Sequence, residues 1–75
     1  MDMHHLVRMA NQIGEFFQVM PDHAEALEGI ANHIRKFWAP RMRLQLGQHL
    51  AEHAGEGLLP IVKEALAVHA SVLPH

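Results

Sequence analysis

Apolar residues recur along the chain every three or four positions, in four runs separated by prolines and glycines. Leu6, Met9, Ala10, Ile13, Phe16, Phe17 and Met20 lie on one stripe of a helix, which Met20-Pro21 should stop. Asp22 with Glu25 has the spacing of a capping box, in which the Glu25 side chain returns a bond to the cap. It opens a second stripe through Leu27, Ile30, Ala31, Ile34 and then Phe37 or Trp38. Gly29 interrupts this stripe at a cost of about 1 kcal/mol relative to alanine, which a close helix approach would explain. Ala39-Pro40 breaks the chain again and starts a third helix, with Met42, Leu46, Leu50 and Ala54 on its face. Gly55-Glu56-Gly57 forms a corner. Pro60 starts the last helix, carrying Ile61, Ala65, Leu66, His69, Val72 and Leu73 and ending at Pro74-His75, although Leu59 is a poor cap. No stretch alternates with period two. The pattern predicts an all-α fold, one domain over residues 1–75 with four short helices in a small bundle or an open array.

Seventy-five residues bury only ~60% of the surface that the unfolded chain exposes. Small scaffolds add disulfides, a metal or a partner, and without cysteine the first is closed. The lack of cysteine, of a leader and of a long apolar run predicts a soluble, cytoplasmic protein with no membrane contact. A net charge of −2 speaks against nucleic acid as a general partner.

Candidate chemistry is sparse. Residues 49–53, HLAEH, match one zinc-peptidase pattern: His49 and His53 stand a helical turn apart and Glu52 could polarise water. With eight histidines in the chain, chance supplies such a pair readily, and no third ligand is apparent. His4-His5 face apart on a helix and add little; His33 reads as a polar-face residue and His69 as a partly buried one. Ser71 is the only serine, and there is no Thr, Tyr or Cys to act as a nucleophile. Gly55-Glu56-Gly57 lacks the Lys-Ser/Thr of a phosphate loop.

One stretch stands apart. IRKFWAPRMR (34–43) places Arg35, Lys36, Arg41 and Arg43, four of six Lys and Arg, around Phe37, the single Trp38 and Pro40. Trp, Arg and Met are enriched at protein interfaces. The competing structural explanation has Phe37 and Trp38 as core anchors with the cations in water. Arg41 and Arg43 fall in the first turn of a helix, where positive charge opposes the macrodipole. They gain more from an external carboxylate or phosphate held between guanidinium forks.

LVRMANQIGEFF (6–17), GIANHIRKFWAPRMR (29–43) and EGLLPIVKEAL (56–66) resemble, in order and spacing, the delta subunit of soluble NAD-dependent formate dehydrogenases. The resemblance runs from Leu6 to about Leu66; Leu59 and the histidine-rich ends depart from it. It implies a non-catalytic accessory subunit of a cytoplasmic complex that oxidises formate and reduces NAD. The alpha subunit would carry a molybdenum or tungsten bis-pterin guanine dinucleotide and iron–sulfur clusters. The beta subunit would carry FMN and bind NAD, and the gamma subunit another cluster. The delta chain itself would bind no cofactor, and no catalytic residue transfers to it. Under this resemblance Arg35, Phe37, Trp38, Pro40, Arg41 and Arg43 form the expected contact with the alpha subunit, with Arg8 and Asn11 as a second one. A maturation factor acting during cofactor insertion is the alternative, and a free-standing nucleic-acid binder a distant one. The exposed Phe-Trp-Met surface also leaves room for self-association in isolation.

Overall fold

A computed structural model describes residues 2–74 and shows four α-helices, α1 (Met3–Phe17), α2 (His23–Phe37), α3 (Pro40–His53) and α4 (Pro60–Val68), followed by a 3₁₀ turn, Ala70–Val72. The described residues contain no strand. The all-α fold of four short helices is thus as the pattern predicts, with differences at the helix ends. α1 stops at Phe17, before Pro21 can act: Gln18 caps it and the Met20 amide turns back onto the Phe17 carbonyl at 3.0 Å. Met20 therefore falls off the stripe. α4 ends at Val68, and the stretch read as its last turn is the tighter 3₁₀ turn. Of the predicted Pro74-His75 end, His75 lies outside the described residues.

Aspartates open the first two helices. The Asp2 carboxylate accepts from the His4 amide and that of Asp22 from the Glu25 amide, each at 3.2 Å. Among the described residues Glu25 makes no return bond, so the box is half formed. α3 and α4 open on proline instead, at Pro40 and Pro60, without a side-chain cap.

α1 is the hub, packing on α2, α3 and α4, while α2 packs on α1 and α4. Leu6 and Ala10 of α1, Ile30 and Ile34 of α2, Leu46 of α3 and Val62 of α4 meet in one core. Each large side chain among them stabilises the fold by about 1.5–3 kcal/mol, so losing any one removes much of a small domain's margin. Two glycines are sites of close approach. A Cβ on Gly14 would stand 2.6 Å from Val62 Cγ2, and one on Gly29 2.5 Å from the Phe17 ring. That contact is the reason for Gly29 inside α2. α3 packs mainly on α1 and makes no comparable contact with α2 or α4. No described helix is long and apolar enough to cross a membrane.

Candidate docking groove and basic corner

The basic-aromatic stretch divides at the α2–α3 corner. Ala39 precedes Pro40 and is held extended, as is Trp38, the C-cap of α2. This reversal turns the Trp38 ring into the core, where only 5% remains exposed, and leaves Phe37 outside with 70% exposed. The expected exposed Phe-Trp-Met surface is corrected accordingly: Trp38 anchors the core, and Phe37 alone of the pair is a free aromatic. Pro40 is exposed at the first position of α3 and fixes the corner.

The cations divide as well. Arg35 donates to Asn32 Oδ1 at 2.7 Å and to Ser71 Oγ at 3.4 Å. Arg43 donates to the Val72 carbonyl at 3.0 Å, although its buried Nε finds no partner. These two arginines hold the C-terminal 3₁₀ turn onto α2 and α3. Arg41 and Lys36 are exposed and make no side-chain hydrogen bond among the described residues. Lys36 in the last turn of α2 complements that helix's negative end; Arg41, in the first turn of α3, complements nothing. Among the described residues the only pairing of a basic side chain with a carboxylate is His23 Nε2 to Glu64 Oε1, 3.0 Å apart.

Asn11 has a job within the chain. Its amide donates to the Gly57 carbonyl and accepts from the Leu59 amide, both at 2.9 Å. One side chain thus clamps the α3–α4 corner onto α1 and ties down the backbone at the poor cap, Leu59. Arg8, three residues earlier, stays exposed.

His49 is buried, and its Nε2 lies 2.7 Å from the Glu56 carbonyl. A carbonyl can only accept, so this nitrogen carries the proton and donates. His49 is occupied in closing the same corner. His53 is exposed, its ring centroid 5.7 Å from that of His49. Among the described residues no three His, Asp or Glu side chains are grouped so that they could hold a metal ion.

Beside the basic corner lies an open groove of about 450 Å³. Met9, Ile13 and Phe17 of α1 face Phe37, Trp38 and Met42 across it, and Phe16 stands at its lip with 72% exposed. Gln12 and His33 supply its polar atoms; the His33 ring packs at a tilt of 43° against Phe37, 4.7 Å between centroids. Sequence reasoning put Phe16 on the core stripe and His33 on a polar face, so it missed both. The signal was there in α1: Leu6, Ala10 and Gly14 make a complete buried stripe of small and medium residues, which leaves Met9, Ile13 and Phe16 on a second, adjacent one.

The fold and this surface define a small helical protein whose distinctive feature is an apolar groove beside a basic corner, with no group of metal ligands among the described residues. Comparison with known families then places it. The chain belongs to the family described as NADH-dependent formate dehydrogenase delta subunit, FdsD, which it matches over residues 5–66. No curated protein and no solved structure matches it significantly.

Proposed function

We propose that the chain is a non-catalytic accessory subunit of a cytoplasmic NAD-dependent formate dehydrogenase, stabilising the catalytic alpha subunit or assisting its assembly. The observation that carries this reading is the family match over residues 5–66, which spans the stripe of α1, the Trp38 corner and the start of α4. Membership implies association with other subunits of the complex. The groove and basic corner support the reading, because they are the part of the surface whose apolar and charged groups find least use inside the chain. In this reading the molybdenum or tungsten pterin, the iron–sulfur clusters, FMN and NAD all reside on partner subunits. The sequence agrees to the extent that it has no cysteine to ligate a cluster.

The test is recovery of the tagged chain from its host grown on formate, with metal content and NAD-dependent formate oxidation measured in the eluate. Active, metal-loaded complex at equal stoichiometry is the expected result. Recovery of a cofactor-free alpha subunit alone would replace the structural role with a maturation role. Recovery of no dehydrogenase subunit would contradict both.

A further inference from the structure

We propose that the groove between α1 and the α2–α3 corner seats an amphipathic helix of the partner, with its apolar stripe between Phe16 and Phe37 and carboxylates directed at Arg41 and Lys36. This rests on the accessory-subunit reading and adds where, and by what chemistry, the partner is engaged.

The shape selects the occupant. On α1 the groove runs from Met9 to Phe17, nine residues spanning about 12 Å, which matches two turns of a helix carrying anchors at i, i+3 or i+4 and i+7. The described residues contain no strand, so no sheet edge exists to take up an extended peptide. Met9 and Met42 give the walls adaptable thioethers, and Phe16 and Phe37 stand exposed as two rigid aromatic lips.

The charge selects its flanks. α3 begins without a side-chain cap and without an acidic residue in its first turn, and Arg41 adds positive charge to that positive end. Arg41 is the neighbour of groove-lining Met42, and Lys36 the neighbour of Phe37. Neither meets a carboxylate within the described residues. Arg35 and Arg43 belong to the same stretch of sequence, but are engaged with the C-terminal turn. An incoming Asp or Glu at the end of an apolar stripe supplies the carboxylate that neither cation meets within the described residues. A second copy of this chain in a two-fold contact would instead set the basic corner against itself.

The experiment uses the alpha subunit purified from cells lacking this chain. A photoreactive benzoylphenylalanine is placed at position 16 or 37, the complex irradiated, and the cross-linked peptides sequenced. Both positions are expected to capture the same alpha-subunit segment, with apolar residues three and four apart and Asp or Glu beside them. Capture of a second copy of the chain, of a proline-rich or basic segment, or of nothing while binding persists would overturn the proposal. In parallel, Phe16→Ala, Phe37→Ala and the pair Lys36→Glu with Arg41→Glu are expected each to weaken binding about tenfold or more. All four positions are exposed, so thermal melting should stay near that of the parent chain; unchanged binding by all three variants would also overturn it. If the unaltered chain fails to bind the alpha subunit, the accessory-subunit reading falls, and this inference falls with it.

Discussion

Two corners of this molecule begin from similar sequence: each is followed by a helix that opens on proline without a side-chain cap. At the α3–α4 corner the chain closes itself. Asn11 clamps Gly57 and Leu59, His49 donates to Glu56, and Val62 packs tightly against Gly14. At the α2–α3 corner only half the groups turn inward. Trp38 enters the core and Arg43 grips Val72, while Phe37, Lys36 and Arg41 stay outside. The difference lies in whether a third element supplies partners. α1 runs alongside the first corner; beside the second it leaves a groove. A polar or aromatic cluster in a sequence is therefore no guide by itself to a binding surface, because what decides is whether the chain has other groups to spend on it.

The sharpest way to break this contrast is to exchange the fates of the adjacent aromatics. Trp38→Ala should cost about 3–5 kcal/mol, enough to unfold most of a domain this small, as read by chemical denaturation. Phe37→Ala should lie within about 0.5 kcal/mol of the parent in the same assay, with its effect confined to partner binding. Equal losses in the two variants would mean that the corner is not divided as described. Next in size is the closed corner. Asn11→Ala removes the bonds to the Leu59 amide and the Gly57 carbonyl, neither fully buried, and should cost about 0.5–1.5 kcal/mol. Asn11→Asp keeps the acceptor for Leu59 but loses the donor to Gly57, and should fall between the two. Were Asn11 a partner contact, its replacement would change affinity and leave the melt unmoved. The smallest effect expected is a gain. Ala54 caps α3 with φ of 54°, in the left-handed region, so Ala54→Gly should stabilise the chain by about 0.5–1 kcal/mol.

Helix number and order were legible because proline and glycine punctuate a three-to-four periodicity between successive helices. The ends of α1 and α4 are exceptions: helices also end through local turns, and the hydrogen bonds from Met20 to Phe17 and from Val72 to His69 leave no mark in the composition. The core was legible where a stripe is narrow, as through Leu27, Ile30, Ala31 and Ile34. It was not legible where α1 carries two neighbouring stripes, because periodicity cannot say which of them meets another helix. The candidate site was half legible. The unusual density of IRKFWAPRMR drew attention to the right corner, and Phe37 and Arg41 are exposed there. Their neighbours Trp38 and Arg43 are drawn inward by contacts to the core and to Val72 that are distant in sequence. The double role of the Asn11 amide could not be anticipated either, since its partners lie 46 and 48 positions away.

The claim that joins these observations is that the groove side of the molecule is covered by its partner and the closed corner is not. Hydroxyl-radical footprinting of the free chain and of the purified complex tests it most directly, with exposed Val68 on α4 as the internal reference. Labelling of Phe16, Phe37 and Met42 should fall sharply in the complex while Val68 keeps its free-chain value. Loss of labelling at Val68, with Phe16 and Phe37 unchanged, would place the partner on another face and contradict the account.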